Sequence, residues 1–416
     1  MSQSANSISS RVIRWTLLIL GAFIIGSVLV NSFALHMSYP HFAIGKNPPA
    51  IREKWHFASG PVTSALALAD DGTLYAASED GFVYALDPSG ELQWKFEAGP
   101  MQASPVVGAD GTIYVSNEDQ LIIAIFRSGV REWAAGGGPY ADKRAGSTAA
   151  AVDQKYLYTP WRGEIHAFRL TTGTIDWDAG FGYKNSGSIS ILASGVIVYP
   201  GVGRMDAAYW QGQIVWQYPP MDPALTTDML LKNGGHPPQG NFWQDSGIAV
   251  GADGTLYTCA TNSRLVALTS DGHFKWDFRT PGDSTNRATP VLASDGTIYF
   301  ASGDGSLYAL DHDGKKKWSL DTGGGLSATP VLAEDGTIYL LNGALMEISP
   351  EGKLLAQTVI NGAGLSSPTL APDGTVYVGS HAGMIYAFSG THGGLMDSPW
   401  PKFQADLANS GRARPF

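Results

Sequence analysis

The sequence of 416 residues contains a single cysteine, Cys259. One cysteine cannot form an internal disulfide, and it cannot build a cysteine-rich zinc site or a haem attachment motif of the C-x-x-C-H type. Cys259 lies between apolar residues in a strand-like pattern, and we interpret it as a small core residue. The sequence therefore excludes disulfide-stapled folds and metal sites built from several cysteines.

Charged residues are also scarce, at 15% of the chain, and acidic residues outnumber basic ones by 37 to 27. A net charge of −10 repels the phosphate backbone of nucleic acids, and we expect no nucleic-acid partner. Hydrophobic residues make up 44% of the chain, enough for a buried core, and 51 glycines with 24 prolines indicate many tight turns. This composition favours an all-β, turn-rich protein.

One long apolar run stands near the N-terminus. Residues 15–35 (WTLLILGAFIIGSVLVNSFAL) carry no charge, and as a helix they reach about 32 Å, enough to cross a bilayer core. Arg11 and Arg14 precede the run, which predicts that residues 1–14 are cytoplasmic and that the rest is extracytoplasmic, in the periplasm. The alternative is a secreted protein with a cleaved signal, because Ser32-Phe33-Ala34 has the small-x-small form of a cleavage site. We interpret residues 36–50 as a proline-containing tether.

A turn followed by a strand recurs through the rest of the chain. Six nearly identical copies of D-G-T-(L/I/V)-Y begin at residues 71, 110, 253, 295, 335 and 373, and two degenerate copies lie at 153–158 and 194–199. The tyrosines that close the eight copies are 38 to 58 residues apart: Tyr75, Tyr114, Tyr158, Tyr199, Tyr257, Tyr299, Tyr339 and Tyr377. A period near 40 residues is typical of propellers and solenoids.

Each repeat contains four short apolar segments separated by glycine-containing turns. In the repeat around residue 295 these segments are ATPVLAS (288–294), TIYFAS (297–302), SLYAL (306–310) and KKKWSL (315–320). Four strands of about five residues make a propeller blade. The eight repeats therefore predict an all-β, eight-bladed β-propeller over residues 51–397.

A tryptophan recurs in the outer strand of seven repeats, and Leu355 takes this position in the remaining one. We interpret the seven as a structural tryptophan girdle: Trp55, Trp94, Trp133, Trp177, Trp216, Trp276 and Trp318. Because Trp55 precedes the first repeat, its strand must pair with the strands of the last repeat, around residues 367–389. The N-terminal strand then closes the ring, which removes free sheet edges.

The outer segments carry a family signature. ALDPSGELQW (85–94), AFRLTTGTIDW (167–177), ALTSDGHFKW (267–276) and ALDHDGKKKW (309–318) resemble the A-x-D-x-x-(T)-G-x-x-x-W signature of pyrroloquinoline-quinone (PQQ) repeat propellers. SPWPKFQADLANSGR (398–412) resembles the strap at the end of such domains, and we assign 398–416 to a C-terminal strap. The competing WD40 family fits less well, because Gly272-His273 lies too close to Trp276 for that family's spacing.

The resemblance implies two classes of function. Quinoprotein dehydrogenases of the family hold PQQ with calcium or a lanthanide, are longer, and in many cases carry a disulfide between adjacent cysteines. Non-catalytic relatives, such as the propeller subunit of the bacterial outer-membrane assembly machinery, have eight blades and about this length, although this chain lacks their lipid-anchor cysteine. One cysteine and a short chain favour the second class.

We therefore predict a membrane-tethered, extracytoplasmic scaffold without catalytic residues, metal or cofactor, which binds envelope proteins or a small ligand. The alternative is a PQQ-dependent dehydrogenase that uses PQQ and Ca²⁺ to oxidise an alcohol or a sugar.

The candidate binding residues lie on connections that lead from one blade to the next, at 136–147, 180–188, 218–247 and 280–290. The third connection presents apolar residues near helical spacing, suited to a partner or a lid, or it plugs the channel mouth. The candidates are Lys143, Arg144, Lys184, Asn185, Met221, Leu225, Met229, His236, Asp245, Asn286 and Arg287. Their cations could hold a polyanion such as PQQ, whereas a solvated rim is the alternative interpretation. For calcium, the candidate acidic ligands on these connections are Asp142, Asp245 and Asp283.

Overall fold

The computed structural model describes residues 49–136, 150–161, 164–180, 187–201, 204–209, 212–218, 246–260, 263–282, 288–362, 366–390 and 392–413. Within these residues, 32 strands form eight four-stranded antiparallel sheets, which are the eight blades predicted from the repeats. The apolar run at 15–35 lies outside the described residues. None of the described segments forms a helix with the length and apolarity needed to cross a membrane.

Each blade is a meander whose first strand lies innermost. The strands of blades 1 to 4 are β2 (Ala67–Leu68), β3 (Leu74–Ala77), β4 (Phe82–Leu86) and β5 (Leu92–Glu97); β6 (Val106–Val107), β7 (Ile113–Ser116), β8 (Leu121–Ile125) and β9 (Arg131–Gly136); β10 (Ala151–Val152), β11 (Tyr156–Trp161), β12 (Glu164–Arg169) and β13 (Ile175–Gly180); and β14 (Ser190–Ile191), β15 (Ile197–Gly201), β16 (Arg204–Ala208) and β17 (Ile214–Tyr218).

The strands of blades 5 to 7 are β18 (Ile248–Val250), β19 (Leu256–Ala260), β20 (Arg264–Leu268) and β21 (Phe274–Arg279); β22 (Val291–Leu292), β23 (Ile298–Ala301), β24 (Ser306–Leu310) and β25 (Lys316–Asp321); and β26 (Val331–Leu332), β27 (Ile338–Leu341), β28 (Ala344–Ile348) and β29 (Leu354–Val359). Innermost strands of neighbouring blades contact one another, as β2 and β6 do.

The eighth blade combines both ends of the described chain. Its strands are β30 (Thr369–Leu370), β31 (Thr375–Ser380), β32 (Met384–Ser389) and the N-terminal strand β1 (Glu53–Ala58), which pairs antiparallel with β32. Trp55 lies opposite Ala387, and its ring centre is 5.7 Å from that of Tyr377. This is the ring closure that the sequence predicts.

The D-G-T motif makes the turn between the first two strands of a blade. In blade 6, the Asp295 carboxylate accepts the backbone N–H of Thr297 at 2.8 Å, and Gly296 has a φ of +81°. Aspartate supplies a local acceptor and glycine supplies the positive φ without strain, so this pair fixes the turn.

The innermost strands are shorter than the five residues expected, with two residues in seven blades and three in β18. In blades 2, 6, 7 and 8 a proline directly precedes the strand, at Pro105, Pro290, Pro330 and Pro368. Proline has no N–H for the ladder, so pairing begins only after it.

Buried residues of neighbouring blades form common clusters, as Tyr75 of blade 1 and Ile113 of blade 2 do. Tyrosines of the second strand are buried and pack against the tryptophan of the same blade, for example Tyr75 with Trp94 and Tyr299 with Trp318, each at 5.7 Å between ring centres. Such aromatic pairs contribute about 0.5–1.5 kcal/mol beyond the area they bury.

The girdle tryptophans bridge each blade to the next. The indole N–H donates to a carbonyl in the turn before the outer strand of the next blade, as Trp55 does to Pro88 at 3.0 Å and Trp276 to His312 at 3.0 Å. The same bond joins Trp94 to Arg127, Trp133 to Leu170, Trp216 to Ser270 and Trp318 to Pro350. Trp177 lies against Gly212 of the next blade.

The assignment of Leu355 to the tryptophan position is wrong by one residue. In seven blades the girdle tryptophan pairs with an alanine of the neighbouring strand, as Trp318 does with Ala309. In blade 7 the equivalent pair is Ala356 with Glu347. The same bulge precedes this pair in every blade, and Ala356 follows Gly352 by four residues, as Trp318 follows Gly314. Leu355 therefore takes the position that directly precedes the tryptophan in the other blades, and it is 36% exposed.

Candidate functional site

The meander gives the ring two faces. The connection face carries the links between blades, such as residues 98–105 and 322–330, and the turns between the two middle strands. The strap face carries the D-G turns and the turns before the outer strands, together with residues 395–413. The candidate binding residues belong by sequence to the connection face.

All eleven candidate binding residues lie outside the described residues. They are Lys143, Arg144, Lys184, Asn185, Met221, Leu225, Met229, His236, Asp245, Asn286 and Arg287. Two of the acids considered for calcium, Asp142 and Asp283, lie outside the described residues as well. The interpretation of these side chains as a binding surface stays a prediction.

The described part of the connection face is acidic. In blades 1, 2, 6, 7 and 8, its described turns and links contain no lysine or arginine. Their acidic residues are Glu79, Asp80, Glu118, Asp119 and Asp304, and Asp321 lies beside them at the end of β25. The part of the face formed by these five blades is therefore negatively charged towards an approaching molecule.

Several of these carboxylates also fix their own turns. The Tyr84 hydroxyl donates to Asp80 at 2.6 Å, and in blade 6 the Tyr308 hydroxyl donates to Asp304 at 2.7 Å. Burial, followed by the neighbouring carboxylate, raises the pKa of each tyrosine to about 12. The Thr63 hydroxyl donates to Glu79 at 3.0 Å. The turns on this face are thus held in place by their side chains.

Hydroxyl groups join neighbouring innermost strands along the channel wall. The backbone N–H of Ala65 donates to the Ser104 hydroxyl at 3.0 Å, and that of Thr289 donates to the Thr329 hydroxyl at 2.9 Å. The same bond joins Gly247 to Thr289 and Thr329 to Ser367. These buried hydroxyls cross-link the blades, and sequence reasoning missed them although a serine or threonine precedes the innermost strand in several repeats.

The strap lies across the channel at the opposite face. Backbone N–H groups at the ends of innermost strands donate to its carbonyls, as Leu68 does to Leu407 and Leu292 to Trp400, both at 2.8 Å. Val107, Val152, Ile191 and Leu332 make the same bond. The strap therefore pairs with six blades and occupies this end of the channel.

A buried lysine stands at the centre of the strap. Lys402 is 0% exposed, and its Nζ donates to the carbonyls of Phe403 and Asp406 at 3.0 and 2.9 Å and to Asn409 Oδ1 at 2.5 Å. Burial lowers the pKa of Lys402 to about 7, although the nearby Asp406 carboxylate acts in the opposite direction. Three acceptors match the three N–H groups of an ammonium, so Lys402 organises the strap loop.

A cleft of about 260 Å³ opens on the strap face between blades 1 to 3 and the strap. Three aspartates line it, and two of them accept bonds inside the protein: Asp153 accepts the N–H groups of Lys155 and Tyr156, each at 2.7 Å, and Asp406 accepts that of Ser410 at 2.9 Å. The cleft lies where the strap crosses blades 1 to 3.

Two observations describe the reactive chemistry of the described residues. They contain no group of three or more His, Cys, Asp or Glu side chains placed to hold a metal ion. Cys259 is buried, and desolvation raises the pKa of its thiol to about 12. A thiol in this state is a poor nucleophile and metal ligand at neutral pH.

An eight-bladed ring with a tryptophan at most blade junctions and a C-terminal strap defines a PQQ-like repeat propeller. The family model described as "Outer membrane protein assembly factor BamB" matches residues 47–198 and 201–403, so the chain belongs to that family. The resemblance seen in the outer segments is thereby confirmed. No curated protein matches the sequence.

Solved structures share the fold at low sequence identity. The crystal structure of BamB from Moraxella catarrhalis is similar with a TM-score of 0.65 and 16% identity, over 82% of this chain and 98% of that chain. A computationally designed protein, Ika8, gives a TM-score of 0.63 at 14% identity, over 83% and 100% of the two chains. The WD40 propeller domain of Doa1 gives 0.52 at 14% identity, over 82% and 97%.

Proposed function

We propose that this protein is a non-catalytic platform that binds other proteins of the cell envelope through its connection face. It works outside the cytoplasm and is tethered to the membrane by residues 15–35. The family supports this proposal, because its model is described as an outer membrane protein assembly factor.

The position of the strap is the main reason to place the binding surface on the connection face. It uses the free N–H groups of six innermost strands and fills its end of the channel around Lys402. The strap face is thus occupied by the protein's own chain, whereas the connection face carries the long links and an acidic rim that includes Glu118 and Asp321. Loops on a rigid ring are where propellers gain binding specificity without changing the scaffold.

Photo-crosslinking tests the choice of face. A photoreactive amino acid replaces either Glu118, on the connection face, or Glu351, in a turn on the strap face, in full-length protein in cells. Both are acidic turn positions, so the two variants are matched in charge; Glu118 is half-buried and Glu351 is exposed. We expect envelope-protein adducts from position 118 and few from position 351; adducts mainly from position 351 contradict the proposal.

Deletion of residues 221–243 tests the longest link. If the link docks the partner, its removal eliminates co-purification of the crosslinked protein while the ring still unfolds cooperatively. Unchanged co-purification shows that this link is not the docking surface.

A thermal-shift titration addresses the PQQ-dependent dehydrogenase. Purified protein is heated with PQQ and Ca²⁺ together, and with each alone, because a ligand that binds the native state raises the melting temperature. We expect no saturable rise. A rise of several degrees that requires both additions favours the dehydrogenase.

A further inference from the structure

Blade 7 departs from the pattern of the other blades where the ring closes. Seven blades pair a girdle tryptophan with an alanine, whereas blade 7 pairs Ala356 with Glu347. The tryptophan position of blade 7 faces blade 8. The outer strand of blade 8 is β1, which comes from the start of the chain, so no turn connects β32 to this outer strand. A tryptophan here would lack the turn that the other tryptophans cover.

His392 and Ile51 occupy this region instead. The His392 ring lies between two carboxylates, with Nδ1 at 2.6 Å from Asp335 Oδ2 and with Nε2 in a short contact with Glu347 Oε1. Glu347 is only 7% exposed, and Ile51 is buried in the same cluster as Ala356. Because the two carboxylates bind opposite nitrogens of one ring, the arrangement is a bridge and not a metal site.

The bridge replaces a lysine pair found in other blades. The aspartate of the D-G turn pairs with the residue before the tryptophan in Asp253–Lys275, Asp295–Lys317 and Asp373–Lys54, each at 3.4 Å. In blade 7 this outer-strand position is Leu355, and His392 contacts Asp335 from the segment that follows β32. A titratable imidazole thus stands where other blades place a permanent charge.

The groups around His392 are mainly acidic. The D-G turn of blade 7 contributes Asp335 and also Glu334, whose carboxylate lies beside Gly393. Strand β28 contributes Glu347, β27 contributes the Tyr339 hydroxyl near Gly390, and the described strand β29 has no charged residue. In the neighbouring turn of blade 8, Asp373 is paired with Lys54. Burial alone would raise the pKa of Asp335, but bonds from Thr337 and His392 hold it below its ordinary value.

We infer that His392 is a pH-sensitive latch that fastens the last blade and the start of the strap to blade 7. Protonated imidazole has two N–H groups and donates to Asp335 and Glu347 together. Neutral imidazole has one N–H, so one carboxylate loses its donor, and an ionised Glu347 without a donor is costly because it is buried. The latch is therefore closed when the ring is protonated and weakened when it is neutral.

The latch acts on the segment between β32 and the strap. On either side of His392, the Gly390 N–H donates to Gly374 at 2.9 Å and the Glu334 N–H donates to Gly394 at 2.9 Å. Met396 N–H then donates to Leu332 at 2.9 Å, which begins the path of the strap. Loosening His392 frees the first part of this path, next to the strand that closes the ring.

Thermal unfolding of the full-length protein in detergent micelles at about pH 6 and about pH 8 tests the latch. We expect the wild-type melting temperature to fall by about 2–4 °C more than that of His392→Lys, whose charge does not titrate in this range. The matched control is His273→Gln, because His273 is an exposed histidine 3.2 Å from Asp271. This variant keeps the wild-type pH dependence; equal pH dependence in wild type and His392→Lys overturns the inference.

Hydrogen exchange on the wild type provides a readout that needs no variant. After correction for the intrinsic pH effect, the Glu334 and Met396 amides should exchange several-fold faster at the higher pH relative to Gly314, whose N–H donates to Asp311 in blade 6. An unchanged ratio between these amides and Gly314 also overturns the inference.

Discussion

Trp55 and Tyr377 lie 5.7 Å apart between ring centres although they come from opposite ends of the propeller sequence. Trp55 belongs to β1, Tyr377 to β31, and β32 lies between these strands in the sheet. The indole N–H of Trp55 then donates to Pro88 in blade 1 at 3.0 Å. One side chain therefore completes blade 8 and also joins it to blade 1.

Replacing Trp55 by alanine should lower the free energy of unfolding by about 3 kcal/mol, because a large half-buried ring and its bond to Pro88 are lost. Trp55→Phe keeps most of the ring contact and removes the bond, so it should cost about 1 kcal/mol. Urea unfolding of the two variants and wild type measures both values. Similar stabilities for the alanine variant and wild type would show that closure does not depend on this residue.

Alanine substitutions at two glycines distinguish the cost of backbone strain from the cost of a clash with a girdle tryptophan. Gly296 and Gly314 both have a φ of +81°. An added Cβ at Gly296 meets no atom within 4 Å, whereas at Gly314 it would lie 2.6 Å from the Trp276 ring. Gly296→Ala should cost about 1 kcal/mol from the left-handed backbone alone, and Gly314→Ala should cost clearly more in the same unfolding assay. Equal costs would mean that the indole moves aside freely.

Much of the fold was predictable because its signals are local and repeated. D-G-T sets a turn within three residues, and the tryptophan and tyrosine positions recur with it. Ring closure followed from the position of Trp55 before the first repeat. Assigning Leu355 to the tryptophan position of blade 7 is wrong because Leu355 follows the turn glycine Gly352 by three residues, whereas the tryptophan position follows it by four, which is Ala356.

The site was less predictable because its contacts join distant parts of the chain. Glu347 was visible in the sequence as M-E-I, where other repeats have an alanine in the middle position, but its partner His392 lies beyond the last repeat. Lys402 looks like an ordinary surface lysine until the strap folds around it. The candidate residues on the long links carry no repeat signal, and they stay predictions.

Cys259 should be inert in the folded protein. Its side chain is buried in β19, its N–H donates to the Ser246 hydroxyl at 3.3 Å, and burial raises the pKa of the thiol to about 12. At about pH 8 almost no thiolate is present, so a thiol-specific reagent should react only after denaturant is added. Rapid labelling under native conditions would mean that blade 5 opens locally.

Lys402 should make stability depend on pH in the alkaline range. Its pKa is about 7 in the folded protein, against an ordinary value of 10.5. Between these values the unfolded chain holds a proton that the folded chain does not. The free energy of unfolding contributed by this group therefore rises with pH across that window, by up to about 1.4 kcal/mol per pH unit, and is lost as pH falls towards 7.

Lys402→Met removes this titration while it keeps a side chain of similar length in the strap. The variant should be less stable overall, since Phe403, Asp406 and Asn409 lose their shared donor. The diagnostic result is the slope: from about pH 7.5 to about pH 9, wild type should gain stability relative to the variant. Urea unfolding at both pH values measures this difference, and Lys316→Met, at an exposed position of β25, should keep the wild-type slope. Parallel slopes for Lys402→Met and wild type would mean that the buried amine stays protonated throughout, held by its three acceptors.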